Sequence, residues 1–224
     1  MRILGVFEKS ERLRHIGHLD LMRAMQRALR RSGLPVSYSK GFNPHINVTF
    51  ASALSVGAIG KREIMDVSME GEVTAEEFLQ VMNKSLPPEL QFSFARAVDD
   101  RHPGLMAMVA ACDYDIEIMD ESAKAWMPEA VRLFGEAGEV MADRKTKSGI
   151  KSVDIKPLVK ELTIEGGTLH AVMVQTEAQG CKPDMLLTAL TALAGQEEKP
   201  RVMVTRNALL GCDESGSLVP LENL

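Results

Sequence analysis

Apolar and polar positions along this chain of 224 residues fall into blocks with two periods. RILGVFE (2–8) is an apolar run closed by charge and predicts a first strand. In HLDLMRAMQRALRRSG (18–33), Leu21, Met22, Met25 and Leu29 recur at the spacing of one helical face. Gly33 and Pro35 then supply a stop, so a helix is predicted. INVTFASAL (46–54) and REIMDVSME (62–70) predict strands, with VGAIGK as the turn between them. Thr74, with Glu77 three residues on, forms a capping box ahead of the helical AEEFLQVMNKSL (75–86), which Pro87-Pro88 ends. LQFSFARAV (90–98) alternates as a strand does.

This order is β-α-β-β-α-β, the split βαβ or ferredoxin-like pattern. DDRHPG (99–104) reads as a boundary, and a similar order follows it. ACDYDIEIM (111–119) is a strand, and SAKAWMPEAVRLFGEAG (122–138) a helical region interrupted by Pro128. EVMADRK (139–145) is a strand, and SVDIKPLVKELTIEGG with TLHAVMVQTE forms a hairpin around Gly166-Gly167. A helix at 183–195 and a strand at 201–207 close the chain. The expected fold is therefore α+β, with two tandem ferredoxin-like modules of mostly antiparallel sheet, residues 1–104 and 105–224.

Composition narrows the class. With 45% hydrophobic and 25% charged residues, the chain has the balance of a soluble globular protein. It contains no apolar run of the roughly 18 residues that a membrane helix needs, and its first residues lack a signal-peptide core. A cytoplasmic location is expected. Cys112, Cys181 and Cys212 are widely spaced, without a CxxC or CxxxCxxC motif, so neither a zinc knuckle nor a radical-generating iron–sulfur site is encoded. No cofactor is expected.

Charge changes the picture more. The net charge is −5, yet residues 1–60 hold nine Arg and Lys against three Asp and Glu. Such asymmetry points to a basic surface and an anionic partner. On a helical wheel of residues 18–33, Arg23, Arg27, Arg30 and Arg31 fall within about 100° of arc, opposite the apolar stripe. Guanidinium suits phosphate because its planar fork donates two hydrogen bonds at once. The alternative is a solvated face paired with the acidic second half. Arg12 and Arg14 precede the helix.

SYSKGFNPHINVTF (37–50) follows as a turn-rich loop. Tyr38 and Phe42 flank Lys40, with Asn43 next; such a pairing can stack a base and hold its phosphate, unless Phe42 plugs the loop into the core. A second basic stretch holds Arg144, Lys145, Lys147, Lys151, Lys156 and Lys160 around a hairpin tip, and Arg201 and Arg206 on the last strand can extend either surface.

His15, His18, Asp20 and His45 offer three chemistries. They can orient the loop, perform acid–base work on a phosphodiester with His18 and His45 as base and acid and Arg23 or Lys40 stabilising charge, or ligate a metal through His15, His18 and His45. His18 falls on the apolar side of the wheel, which favours a partly buried role, and His102 and His170 look isolated.

The stretches RLRHIGHLDLMRAMQRALRRSGLPVSYSKGFNPH, TFASALSVG and TKSGIKSVDIKPLVKELTIEGG together resemble the bacterial radical-SAM-linked protein family. Its members occur alone or as the C-terminal part of a larger radical SAM, cobalamin-binding-type protein. The resemblance implies an accessory, substrate-presenting role for a radical SAM enzyme in a separate chain. The family's usual gene neighbours, ribonucleases and ribosomal proteins, imply RNA, either tRNA or rRNA. Gly17 stands where the family usually has Ser, and Ile46 where it usually has Pro. The tandem order also looks like that of CRISPR-repeat-processing endoribonucleases, by analogy of fold alone. Three functions follow: an RNA-binding accessory module, a metal-independent endoribonuclease using the clustered histidines, and a protein-only adaptor for the radical SAM enzyme.

Overall fold

The computed structural model describes residues 1–146 and 149–224. The chain divides into two compact units, Met1–Val109 with Ala208–Leu224, and Ala110–Asn207. The two continuous segments expected from sequence thus differ from the observed division at the C-terminus, which returns to the first unit. The architecture is mixed α+β, with five helices among the described residues and mostly antiparallel pairing. No helix of the described residues is long and apolar enough to cross a membrane.

In the first unit, strand β1 (Arg2–Lys9) leads to helix α1 (His18–Ser32), then β2 (Val48–Phe50), β3 (Ala58–Ser68), α2 (Ala75–Ser85) and β4 (Phe92–Val98). The strand order is β4-β1-β3, with β2 on β3, and each pair is antiparallel. The apolar stripe of α1 supplies Leu21, Met25, Ala28 and Leu29 to a core shared with Phe7, Met65, Phe78, Met82 and Phe92. Phe7 meets Phe50 edge-on at 5.9 Å, and Phe78 meets Phe92 at 5.2 Å, the offset geometries that aromatic quadrupoles prefer. At the start of α2, the Thr74 hydroxyl accepts from the Glu77 backbone N–H at 3.1 Å, as the capping motif predicts.

The expected turn at 56–61 is displaced. β2 spans only three residues, and the strand after it starts at Ala58, so AIGK lies in β3 rather than in the turn. Val56 and Gly57 make the turn, closed by the Ala58 N–H donating to the Ser55 carbonyl at 3.2 Å; Gly57 takes φ 91°, its N–H donating to the Arg14 carbonyl at 2.8 Å. Gly60 is in the strand because there is no room for a side chain: a Cβ there would meet Glu63 Cγ at 2.5 Å.

A short helix α3 (Leu105–Met108) precedes the second unit. There the order is β5 (Ala111–Ile118), α4 (Glu121–Glu136), β6 (Met141–Thr146), β7 (Gly149–Asp154), β8 (Val159–Glu165), β9 (Thr168–Val174), α5 (Pro183–Leu193) and β10 (Val202–Cys212). β10 contributes 202–207 to this unit and 208–212 to the first, where β11 (Leu218–Pro220) pairs with it. The strand order of the second unit is β10-β5-β9-β8, while β6 and β7 form a ladder of their own.

Two expectations fail here. Helix α4 runs through Pro128 without a break; Pro128 is exposed, so the hydrogen bond its ring nitrogen cannot donate is lost on a solvated side. The long run from 152 to 167 splits into β7 and β8 at Lys156–Leu158, because Pro157 has no N–H for a ladder. The Asp154 carboxylate fastens that corner, accepting from the Val140 and Lys156 N–H groups at 2.9 Å. The Gly166-Gly167 turn forms as expected, at φ 57° and 83°, closing β8 on β9 with Glu165 opposite Thr168.

Candidate nucleic-acid interface

Helix α1 is built to leave its arginines outside. Asp20 sits in its first turn and Arg30 and Arg31 in its last, charges that suit the two ends of the helix dipole. Gly33 ends it at φ 75°, the left-handed cap that glycine takes without strain. With Leu21, Met25 and Leu29 turned inward, Arg23, Arg27, Arg30 and Arg31 are all exposed.

Their partners differ. Arg23 pairs with Asp20 one turn earlier at 3.0 Å. Arg31 donates to the Ser85 carbonyl at 2.7 Å. Ahead of the helix, Arg12 pairs with Glu89 at 3.0 Å and Arg14 with Glu11 at 3.1 Å. Each ion pair is local to the first unit. Arg27 and Arg30 have no hydrogen-bond or ion-pair partner among the described residues. Arg27 faces Arg30 and Arg31 at i,i+3 and i,i+4, where like charges repel by about 0.2–0.5 kcal/mol per pair, a cost that an anion from outside relieves.

The loop after α1 is a rigid base with an exposed tip. Tyr38 bridges Ile46, the Ser39 N–H donates to the His45 carbonyl at 2.8 Å, and the His45 N–H returns a bond to the Ser39 hydroxyl at 3.0 Å. Asn47 holds Ser37 through its backbone N–H at 2.9 Å and through its side-chain amide at 3.1 Å. The base is fastened to the end of β3, since the Ser37 N–H donates to the Ser68 carbonyl and the Ser68 N–H to the Asn47 carbonyl. Beyond it, Lys40, Gly41, Phe42, Asn43 and Pro44 are all exposed, and Gly41 takes φ 142°. Phe42 is fully exposed, so it does not plug the loop into the core; Tyr38 is 42% exposed. Phe42 is thus an uncovered aromatic face two residues from a cation.

The histidines divide. His18 opens α1 partly buried, its ring edge-on to Phe50 at 5.3 Å, with Nδ1 buried and without a partner among the described residues. His15 and His45 are exposed. Among the described residues, no group of three His, Cys, Asp or Glu side chains assembles as a metal site, so His15, His18, His45 and Asp20 do not converge into one.

The second basic stretch is dispersed. Lys147 lies outside the described residues, as does the side chain of Lys145. Lys151 is exposed on β7, opposite Arg144 of β6. Lys156 is spent on the C-terminal end of α4, lying over the Phe134 ring at 4.8 Å and donating to the Gly135 carbonyl at 2.8 Å. Arg201 clamps Asp120, whose carboxyl is held below its usual range by the Arg201 backbone N–H and then by the guanidinium. Arg206 corrects the expectation that it extends a surface: it is 2% exposed, beside Tyr114. Burial pushes the Tyr114 hydroxyl well above its ordinary range, with Arg206 opposing the shift. Burial also pushes the Cys181 thiol up to about 12, consistent with a cysteine kept as an inert apolar side chain.

Two features escaped the sequence. His170 is not isolated: Asp115 Oδ1 lies 2.7 Å from its Nδ1. Lys9 is 1% exposed and donates to the Arg14 carbonyl at 3.0 Å and the Ala58 carbonyl at 3.3 Å, tying the approach to α1 onto the sheet. Strand pairing creates both, and no local signal announces either.

Residues 2–186 match one protein family, described as an uncharacterized protein conserved in bacteria (DUF2344). The matched span contains α1, the loop and most of the second unit, and the chain belongs to this family. No curated protein matches the chain.

Proposed function

We propose that this member of the family is a non-catalytic RNA-binding accessory protein, which presents RNA to a modification or processing enzyme through α1 and the loop at 37–45. The observation that carries the reading is a pair of guanidinium groups, Arg27 and Arg30, left without carboxylates on a helix whose loop ends in an exposed Phe42 beside Lys40. Neighbouring acids neutralise Arg12, Arg14 and Arg23, so a solvated salt-bridge face accounts for those three and not for these two. Phosphate backbones bind through such free cations, and unstacked bases lie on exposed aromatic faces. The partner we assign is a radical SAM enzyme in a separate chain; the resemblance of the α1–loop stretch supports it, and any radical chemistry belongs to that chain. We also read the orders β4-β1-β3-β2 and β10-β5-β9-β8 as two ferredoxin-like modules, the second carrying the β6–β7 hairpin as an insertion.

The test is fluorescence anisotropy with labelled tRNA and rRNA fragments at low and moderate salt. Native protein is expected to bind with an affinity that falls steeply with salt. The Arg27→Ala/Arg30→Ala variant loses two contacts, so its log–log salt slope becomes shallower by about 1.4–1.8. No binding by the native chain, or an unchanged slope in the variant, overturns the reading and directs the search to an acidic protein partner.

A further inference from the structure

Between α1, the segment leading into it and the turn after α2 lies a cleft of about 250 Å³. Leu13, Ile16, Leu86 and Leu90 form its walls, and Arg27 and Arg31 stand at its rim. Four sets of bonds hold it open. Gln91 ties down the 86–90 turn, its side-chain amide donating to the carbonyls of Asn83, Leu86 and Pro87. The Ser10 N–H donates to the Glu89 carbonyl at 3.1 Å, joining the lead-in segment to the same turn. Lys9 holds that segment from beneath through the Arg14 carbonyl. Arg31, through Ser85, links helix to turn across the opening. The cleft is therefore formed before any ligand arrives, which removes much of the ordering cost of binding.

We infer that this cleft binds a small amphiphilic anion, a short hydrocarbon body ending in one carboxylate or phosphate monoester. The walls are mostly aliphatic, and the one cation among them, Lys9, already donates to the Arg14 and Ala58 carbonyls, so a nucleobase would leave most of its edges unmet. An alkyl chain leaves no polar group unmet there and is stabilised by each methylene it buries. The volume lies just below the roughly 300–1,000 Å³ of sites for larger ligands, which restricts the body to a short one. At the rim, Arg27 has no partner among the described residues, and Arg31, one turn on, spends one bond on Ser85. Two guanidinium groups at one mouth repel each other and select an anionic head. This site shares Arg27 with the RNA reading, which rests also on Arg30, Lys40 and Phe42 outside the cleft.

Isothermal titration of the full chain with octyl phosphate, octanoate and octanol, each below its micelle concentration, tests the inference. Both anions are expected to saturate one site at least tenfold more tightly than octanol. Arg27→Gln/Arg31→Gln should erase that tenfold gap while leaving octanol unchanged. Ala24→Trp, which fills the cleft from α1, should abolish all three; RNA anisotropy on the same variant should stay native, which separates failure here from failure of the RNA reading. Vesicles of phosphatidic acid in phosphatidylcholine distinguish the source: co-sedimentation that Ala24→Trp loses assigns the head group to a lipid, and none assigns it to a free molecule. Absence of saturable binding, equal affinity for octanol, tighter binding of AMP or UMP than of octyl phosphate, or unaltered titration of Ala24→Trp would each overturn the proposal.

Discussion

The two units turn opposite chemistries outward, each from one regular element. In the first, helical periodicity sends α1's apolar residues into the core and four arginines out. In the second, strand alternation buries Cys112, Tyr114, Ile116 and Ile118 of β5 and turns Asp113, Asp115 and Glu117 the other way. Register then lines these up across three strands. Asp113 and Glu161 flank Val172, Asp115 and Thr163 flank His170, and Glu117 and Glu165 flank Thr168. One face so acquires five carboxylates around a single imidazole, opposite in sign to the exposed face of the arginine helix. Formal charge alone misses how this arises. Most of the first unit's acids that lie near arginines cancel them, whereas the second unit's acids on this face are gathered by pairing and mostly uncompensated.

The comparison breaks most sharply at α1 itself. Met25 is fully buried beneath the arginines, so Met25→Ala should lower stability by about 2–5 kcal/mol in urea melts, whereas Arg27→Ala, exposed on the opposite side, should leave the midpoint unchanged and weaken RNA binding only. If both change stability alike, the division into buried stripe and free face is wrong.

Phe42→Ala comes next. It should weaken RNA binding by about 1–3 kcal/mol, roughly 5- to 150-fold, with no change in melting temperature because the ring touches nothing that it would leave exposed. A variant that binds as well as native protein would assign recognition to the helix alone.

On the acidic face, Asp113→Lys/Glu161→Lys should raise residual RNA affinity at low salt, and the gain should vanish near 0.5 M salt as the charges are screened. An equal gain at both salts would point to a new specific contact instead. Asp115→Asn should cost no more than about 1 kcal/mol, since the pair with His170 is solvent-accessible.

The smallest effect is acid sensitivity at Asp120. Its folded pKa lies below the ordinary aspartate value, so the stability it contributes is fully present above about pH 4 and is lost as pH falls through the depressed value. Asp120→Asn should flatten that portion of the acid unfolding curve. Asp66 runs the other way: burial raises its carboxyl despite the Arg2 ion pair, so its contribution weakens as pH rises through the raised value.

Much was legible without coordinates. The extents of β1, α1, α2, β4, β5 and α5 follow from periodicity and punctuation, because apolar stripes, caps and prolines act over a few residues. The outward arginines follow from the same wheel. What periodicity could not supply is partnership. Whether Arg23 or Arg27 is free depends on which acid lies one turn away and which lies on no near element. The place of Gly60 in a strand depends on the Glu63 side chain, and the burial of Arg206 depends on the packing around β10. His170 acquired Asp115 only when β9 paired with β5, fifty-five positions apart. The cleft by Arg31 is assembled from residues near 10, 30 and 90. Local sequence determines which face of an element is apolar, because backbone geometry alone sets that period. Tertiary structure decides which charges meet, because Coulomb and hydrogen-bond partners are chosen by distance in space, and distance in space is what folding creates.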